Sequence, residues 1–277
     1  MSDRSKVQVK HRKEPYAERY TTAIWKEQPA EDNPFVEEQL SCRGYAMHEL
    51  IDQLSYSEYL YLLVKGELPS AEQAAFLNRL LIAFSHPGPR HEASRAAVLA
   101  GVGKTLPQHV LPIALLVYGG ERNGAGIVEK AMRFLRRQHR KPPEQVGAQA
   151  LQAAGFGSYY GDTDRWAASL ARTLASSPMP TPCLDWADAA QAMPATQDPP
   201  VGWTKATVAA AAFCDLGVMP RQGVALLQMM AAPGLLVQGL EHSNKPATVL
   251  PFVSDEHYEL REVDREREQP EVADVES

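Results

Sequence analysis

Two capping boxes constrain the fold of this chain more strongly than any other feature of its sequence. Ser55 is followed by Glu58, and Ser70 by Gln73, each pair at the start of a run with apolar residues at helical spacing. In a capping box the serine hydroxyl accepts the N–H three residues later, while the longer side chain reaches back to the serine N–H. Both pairs therefore predict helix starts. Gly66 predicts the end of the first helix, because glycine readily adopts the left-handed conformation found there.

The same periodicity extends through most of the chain and predicts an all-α fold. Apolar residues at the helical spacing predict further helices over 47–54, 93–100, 110–118, 125–138, 164–175, 203–216 and 221–239. The last of these contains Pro233, which predicts a kink or a split. Short strands are predicted only over 7–11 and 248–253, and nothing indicates an alternation of strands and helices.

Composition and charge limit the classes of partner. A formal net charge of −6 disfavours nucleic acid, because excess negative charge repels phosphate. No run of about 18 apolar residues is present, so no membrane-spanning segment is predicted, and residues 1–20 lack the apolar core of a secretory signal. The cysteines Cys42, Cys183 and Cys214 are scattered, which is typical of a reducing compartment. We expect a cytoplasmic protein without a nucleic-acid or membrane partner.

Three motifs resemble ligand sites, but each lacks a required part. Residues 100–105 resemble the end of a phosphate-binding loop, but Val98 occupies the place of a glycine, so a helix end is predicted there. The glycines of 155–161 resemble a dinucleotide fingerprint without the strand that should precede it. His86 and His91 flank a proline-rich turn without a third metal ligand nearby in the sequence. We therefore expect neither a metal nor a tightly bound cofactor.

The distribution of charge and proline predicts three regions. Residues 1–38 are charged and contain several prolines, which indicates an extended N-terminal arm. Residues 39–258 carry the helical pattern. Residues 259–277 are acidic and lack a burial pattern, so a surface or disordered tail is predicted there.

The segments 41–50 (SCRGYAMHEL) and 62–70 (LLVKGELPS) together resemble a signature of citrate synthases. The signature also occurs in citryl-CoA lyases and in the synthase-like region of ATP-citrate lyase. The resemblance implies a large helical domain with a smaller inserted helical domain, whose boundary we place near 125–215, and a homodimer. It also implies a cleft between the domains that binds a polycarboxylate together with CoA or acetyl-CoA.

The resemblance further implies where the catalytic groups of the family should be. In that family one histidine polarises the thioester carbonyl, a second activates the oxo acid, and an aspartate removes the α-proton. In the corresponding segments of this chain, Arg122 and Ser158 stand in place of the histidines, and Gly202 stands in place of the aspartate. Glycine has no side chain to take a proton, serine does not titrate near neutral pH, and arginine keeps its proton. The sequence therefore predicts that standard citrate synthase chemistry is absent.

Other residues are candidates for ligand binding. The residues that we predict to contact the substrate are His86, His91, Arg122 and Arg165. A basic run at the end of a predicted helix is a candidate for binding CoA phosphates, and its members are Arg136, Arg137, Arg140 and Lys141. The alternative for this run is a solvated last turn whose cations complement the helix dipole.

Three hypotheses of function remain open from the sequence. In the first, the chain has lost the standard chemistry and retains a CoA or polycarboxylate cleft, or serves as a subunit of an active relative. In the second, it is an active acyltransferase of the citrate synthase type, or a citryl-CoA lyase, with rebuilt catalytic groups. The candidates for those groups are His86, His91, Glu92, Arg122 and, as the base, Glu121 or Asp198. In the third, it is purely an assembly partner.

Overall fold

The computed structural model describes residues 18–157, 160–192 and 200–260. Within these ranges the chain is predominantly helical, and the all-α prediction is confirmed. Three short strands come first, namely β1 (Trp25–Pro29), β2 (Glu37–Cys42) and β3 (Tyr45–Ala46). The α-helices that follow are α1 (Met47–Gln53), α2 (Tyr56–Lys65), α3 (Ala71–Ala83), α4 (Glu92–Val102), α5 (Pro107–Tyr118), α6 (Val128–Gln138), α7 (Ala148–Ala153), α8 (Arg165–Ala175), α9 (Pro182–Ala192), α10 (Lys205–Asp215) and α11 (Pro220–Leu240).

Both capping boxes have the predicted geometry. Before α2, the Ser55 N–H donates to Glu58 Oε2 at 2.8 Å. Before α3, the Ser70 N–H donates to Gln73 Oε1 at 2.8 Å, and Ser70 Oγ accepts the Gln73 N–H at 3.2 Å. Gly66 ends α2 in the left-handed conformation with φ of 81°. The local signals in this part of the sequence therefore predicted the helix boundaries correctly.

The three strands form an antiparallel sheet in the order β1-β2-β3. Trp25 pairs with Cys42, and Gln28 pairs with Gln39. β1 lies within the segment 1–38 for which the sequence predicts an extended arm. The hairpin was not predicted, because β1 is exposed along its whole length and so has no alternation of apolar and polar residues.

The strand predicted over 248–253 is wrong. Ala247–Val249 forms a short 3-10 helix, and the residues after it have no regular structure. Pro251 lies within the predicted strand, and Pro246 lies just before it. Proline cannot donate the N–H that a strand ladder requires. The strand predicted over 7–11 lies outside the described residues, as does most of the tail predicted over 259–277.

Arg43 joins the two halves of the sequence signature. It occupies the turn between β2 and β3 with φ of 52°, followed by Gly44 with φ of 90°. Its Nη2 donates a 2.7 Å hydrogen bond to the carbonyl oxygen of Leu63 in α2. Its guanidinium also lies against Gly66, where a Cβ would be 3.6 Å from Cζ. The signature therefore attaches the small sheet to the end of α2, which is a structural role.

The alanine-rich helix α10 forms the centre of the hydrophobic core. It contacts α6, α8, α9 and α11, and its side chains from Val208 to Phe213 are completely buried. Short alanine side chains allow these neighbouring helices to pack closely against it. The helices α7 and α9, which the sequence pattern did not predict, contribute Leu151 and Leu184 to the same core.

Of the kink or split predicted at Pro233, the split is wrong, because α11 continues from Pro220 to Leu240. The Gly234 N–H donates outside the helix, to the carbonyl oxygen of Ser85 at 3.0 Å. By length and composition alone, α11 is apolar enough to cross a membrane. Its contacts with α4, α5, α6 and α10 are those of a core helix.

The segment 100–105 ends helix α4, as predicted, and does not form a phosphate-binding loop. The helix stops at Val102, and Lys104 turns the chain with φ of 58°. The Lys104 ammonium donates to the carbonyl oxygens of Ser243 and Lys245, both at 2.7 Å. This lysine therefore holds the turn that follows α11.

Asp215, the last residue of α10, ties that helix to α9. Its carboxylate accepts the N–H groups of Cys183 at 2.7 Å and of Leu184 at 3.2 Å, at the start of α9. Burial raises the pKa of Asp215 from 3.8 to about 6, although these hydrogen bonds oppose the rise. The hydrogen bonds from α9 favour the ionised form of Asp215, whereas burial disfavours that form.

We expect the replacement Asp215→Asn to remove a specific pH dependence of stability. Because the pKa of Asp215 is higher in the folded chain than its usual value, the folded state binds the extra proton between the two pKa values. Stability therefore falls as the pH rises from about 4 to about 6. The free energy of unfolding of the wild type, minus that of the variant, should fall by at most about 3 kcal/mol over this window. Urea unfolding at several pH values measures it, and a pH-independent difference would contradict the assignment.

Candidate functional site

Three helices begin at the edge of one cleft with a volume of about 980 Å³. Glu92, Arg165 and Lys205, the first residues of α4, α8 and α10, line this cleft together with the N-cap residue of each helix. The positive ends of three helix dipoles are therefore close to one space, which favours an anion there. The other lining residues are Pro87, Gly88, Pro89, Arg90, Arg95, Asn123, Gly157, Tyr160, Asp162 and Thr163.

Two of the N-cap side chains are committed to holding their helices. Asp164 Oδ1 accepts the N–H of Ala167 at 2.9 Å in α8. Thr204 Oγ1 accepts the N–H of Thr207 at 3.2 Å in α10. These groups fix the rim of the cleft, and contact with a ligand is left to the cations around them.

His91, which the sequence analysis predicted to contact the substrate, is the third N-cap and is buried. Its Nδ1 accepts the N–H of Ala93 at 3.0 Å, and its Nε2 is 2.7 Å from the carbonyl oxygen of Asn123. A carbonyl only accepts, so Nε2 carries the proton and the ring is neutral. The ring also packs edge-on against Tyr118, with 5.2 Å between the centroids. Both ring nitrogens are therefore engaged within the protein.

His86 lies beside the cleft and is held in a similar way. Its Nδ1 accepts the N–H of Gly88 at 2.8 Å, and its Nε2 lies 3.2 Å from Gln238 Oε1. Gly234 packs so closely that a Cβ there would be 2.6 Å from the ring. His86 therefore shapes the proline turn that lines the cleft. Among the described residues, no group of three or more His, Cys, Asp or Glu side chains is placed to hold a metal ion.

Arg122, which the sequence analysis aligned with the first histidine of citrate synthases, belongs to an exposed loop. Arg122 and the alternative base Glu121 are both exposed, and neither lines the cleft. The next residue, Asn123, does line it, and its backbone has φ of 58°. The loop reaches the cleft through the Asn123 carbonyl that accepts the His91 hydrogen bond, rather than through the predicted side chains.

Gly202, which the sequence analysis aligned with the aspartate of citrate synthases, is buried, and a side chain there would collide with Thr163. A Cβ built on it would be 2.7 Å from Cγ2 and 3.1 Å from Cβ of Thr163. Its carbonyl oxygen accepts the N–H of Gly157 at 2.9 Å, and Gly157 lines the cleft, whereas Gly202 does not. Ser158 and Asp198, the two remaining predicted catalytic positions, lie outside the described residues.

Arg165 lines the cleft as predicted and forms an exposed ion pair. Its Nη2 is 3.2 Å from Asp162 Oδ2, and its side chain is 89% exposed. The pKa of Asp162 is lowered by the N–H of Thr163 first and by Arg165 second. Because exposed ion pairs are weak, the guanidinium is available to bind a ligand carboxylate instead.

The sequence analysis missed three cations of the cleft, Arg90, Arg95 and Lys205. Among the described residues, no salt bridge joins any of them to a carboxylate. Lys205 Nζ donates to the carbonyl oxygen of Pro87 at 2.9 Å and so connects α10 to the proline turn. Thr204 is the sequence feature that could have indicated this site. Threonine is a good N-cap residue, so it predicts the positive end of a helix next to Lys205.

The predicted CoA-binding run is divided between different surroundings. Arg136 and Arg137 line a separate groove beside the start of α11. Arg140 and Lys141 line neither that groove nor the cleft. The carbonyl oxygen of Lys141 accepts the indole N–H of Trp186 at 2.7 Å. The structure therefore does not bring the four predicted residues together.

The fold is similar to several solved structures. A citryl-CoA lyase from Hydrogenobacter thermophilus matches with a TM-score of 0.69 and 20% identity, over 91% of this chain and 97% of that one. An ATP citrate lyase from Methanothrix soehngenii, solved with citrate and coenzyme A, matches with a TM-score of 0.66 and 17% identity. That match covers 89% of this chain and 44% of the larger enzyme. A citrate synthase from Thermotoga maritima has a TM-score of 0.55 and 16% identity, over 78% of this chain and 62% of its own.

The comparisons of the whole sequence with known proteins gave no match. No family model matches the chain, and no curated protein matches its sequence. At these levels of identity the structural matches demonstrate the shared fold, and they agree with the signature around Arg43 and Gly66. The chain has the fold of the citrate synthase and citryl-CoA lyase superfamily.

Proposed function

We propose that this chain binds a polycarboxylate or an acyl-CoA in the cleft and does not perform standard citrate synthase chemistry. The observation that carries the proposal is Gly202, because the space that an aspartate side chain would need is filled by Thr163. The two histidines near the cleft offer no substitute base, since the ring nitrogens of His86 and His91 have partners within the protein.

The charges of the cleft support the choice of ligand. Arg90, Arg95 and Lys205 add three cations to three helix N-termini, and the guanidinium of Arg165 is exposed. The lining carboxylates are Glu92, Asp162 and Asp164, so four cations exceed three anions by one charge. Asp164 caps a helix, and Asp162 pairs with Arg165. Arginine pairs with carboxylates through two parallel hydrogen bonds, so a di- or tricarboxylate suits this arrangement. The ATP citrate lyase neighbour was solved with citrate and coenzyme A, which makes both compounds suitable probes.

Thermal shift with citrate, oxaloacetate, CoA and acetyl-CoA tests binding. A ligand at a hundred times its dissociation constant stabilises the folded state by about 2.7 kcal/mol. We expect Arg95→Gln to weaken the binding of citrate by about tenfold or more, because a hydrogen bond to a charged group contributes about 1.5–3 kcal/mol. Arg79→Gln is the matched control, since Arg79 is exposed on α3 and does not line the cleft. Equal loss in both variants, or no shift with any ligand, contradicts the proposed site.

Direct assays of citrate formation and of citryl-CoA cleavage test the loss of chemistry. We expect no turnover, whereas ordinary enzymes reach about 1 per second or more. A rate within about a hundredfold of that value contradicts the proposed loss of chemistry. In that event Glu92 is the candidate base, because it lines the cleft and is neither a cap nor paired with arginine in the described chain. The variant Glu92→Gln should then abolish the activity.

We further propose that the protein is a cytoplasmic homodimer or the partner of an active relative. The described surface offers an apolar face on and beside α5, where Leu106, Ile113, Leu116 and Val117 are exposed. Leu116 is 80% exposed, an unfavourable position for leucine unless another chain covers it. Sedimentation equilibrium of the purified protein measures the mass of the assembly directly.

A further inference from the structure

We propose that a second site, separate from the cleft, binds a phosphate-bearing ligand between the end of α6 and the start of α11. This arginine groove has a volume of about 400 Å³ and is lined by Arg133, Arg136, Arg137, Met219, Pro220 and Arg221. The proposal does not depend on the function of the cleft, because the two sites share no lining residue.

The first argument is the excess of positive charge in the arginine groove. Glu129 is the carboxylate within salt-bridge distance of these arginines in the described chain. Its Oε1 is 2.6 Å from Arg133 Nη2 and 3.7 Å from Arg221 Nε, so two cations share one anion. Four guanidinium groups less one carboxylate leave three positive charges in a concave surface. Within the described chain, Arg136 donates to the sulfur of Met219, at 3.5 Å, and sulfur is a weak acceptor.

The second argument is the position of Arg221 in the first turn of α11. The positive end of a helix dipole disfavours a cation there, and the first turn of this 21-residue helix contains no acidic residue. The dipole of α6 accounts for Arg136 and Arg137, which lie in its last turn. It does not account for Arg221, which adds charge where the field is already positive. An anion bound beside Arg221 is attracted both by the guanidinium and by the positive end of α11. The anion therefore offsets the repulsion between the arginine and the helix dipole.

The chemistry of the groove selects phosphate over a single carboxylate. Arginine binds phosphate oxygens in a bidentate way, and a terminal phosphate or a pyrophosphate carries enough charge to match three net cations. The same chemistry is found in free phosphate compounds and in the phosphate groups of CoA. Met219 and Pro220 form an apolar surface beside the arginines, which a non-polar part of the ligand can contact.

Isothermal titration at low ionic strength with pyrophosphate, CoA and citrate tests the site. We expect the double variant Arg136→Gln, Arg137→Gln to weaken pyrophosphate binding by about tenfold or more. The control Arg140→Gln, Lys141→Gln also removes two positive charges just beyond α6 but outside the groove, and it should leave binding unchanged. Since all three arginines are exposed, folding should be preserved, and lysine replacements at 136 and 137 should retain part of the affinity.

The titration with CoA shows which kind of phosphate compound the groove binds. The titration with citrate distinguishes binding in the groove from binding in the cleft. If the double variant loses CoA together with pyrophosphate, the groove binds the phosphates of CoA. If it loses pyrophosphate alone, the groove binds a free phosphate compound. Citrate should bind equally well to the wild type and to the double variant, because it reports on the cleft. Pyrophosphate binding that is absent, or that the double variant leaves intact, overturns the proposal whatever happens at the cleft.

Discussion

Replacing Gly202 by aspartate is expected to destabilise the protein by at least about 3 kcal/mol, and not to restore a catalytic base. The new Cβ would lie 2.7 Å from a methyl carbon of Thr163, which is closer than real Cβ atoms approach a neighbour. The carboxylate would also enter a buried segment. The backbone at Gly202 cannot easily shift away, since its carbonyl oxygen holds the N–H of Gly157 at 2.9 Å.

Urea unfolding of a small set of variants separates these contributions. Gly202→Ala introduces the clash without the charge, and adding Thr163→Gly to it removes the obstructing side chain and should recover stability. Gly157→Ala is the matched control, because a Cβ there meets nothing within 4 Å. If Gly202→Asp is as stable as the wild type, the cleft wall is mobile and the main structural support for lost chemistry disappears.

The change Trp203→Ala is expected to cost about 3–5 kcal/mol, the range for removing a large buried aromatic side chain. Trp203 is 1% exposed and packs against Phe156 with 5.3 Å between ring centroids. Its indole N–H donates to Asp188 Oδ1 at 3.0 Å. The variant therefore leaves a cavity and removes one of the two hydrogen bonds that Asp188 Oδ1 accepts, the other coming from Gln191 Nε2 at 3.0 Å. Since Trp203 immediately precedes the N-cap of α10, the positive end of that helix at the cleft should become disordered first.

Trp166→Ala provides the comparison for Trp203→Ala, because the same side chain is removed from a position that is 59% exposed. Surface substitutions of this kind usually change stability by about 0.5 kcal/mol or less. Thermal unfolding should show a decrease of roughly 10 °C for the Trp203 variant, since about 2–4 °C corresponds to 1 kcal/mol at this chain length. Similar midpoints for both variants would show that Trp203 does not anchor the core.

Local signals in the sequence predicted much of the fold. Ser55, Ser70 and Gly66 marked helix boundaries correctly, because a cap or a left-handed glycine depends on residues a few positions away. The helices α7 and α9 were missed, since one is short and the other begins at Pro182 in a segment without clear periodicity. The exposed strand β1 was missed because its pairing with β2, and not its own pattern, determines its structure.

The candidate site was less predictable, because it depends on tertiary packing. Lys205 is far in the sequence from Arg90 and Arg95, and it shares a cleft with them only because α4 and α10 begin at the same place. His91 is a plausible ligand group from its residue type, but only the structure places its Nε2 against the carbonyl of Asn123. The family resemblance drew attention to Gly202, and only the structure shows that a Cβ there would be 2.7 Å from Cγ2 of Thr163.

A signature that is maintained by folding can outlast an enzymatic activity. Arg43 holds the carbonyl oxygen of Leu63 whatever reaction the cleft performs, so a chain without this arginine loses the attachment of its sheet. Natural selection for a folded protein is then enough to retain the signature, whether or not the cleft catalyses a reaction. A genome search with that signature therefore collects chains by their fold, and a reaction has to be assigned from the residues of each cleft separately.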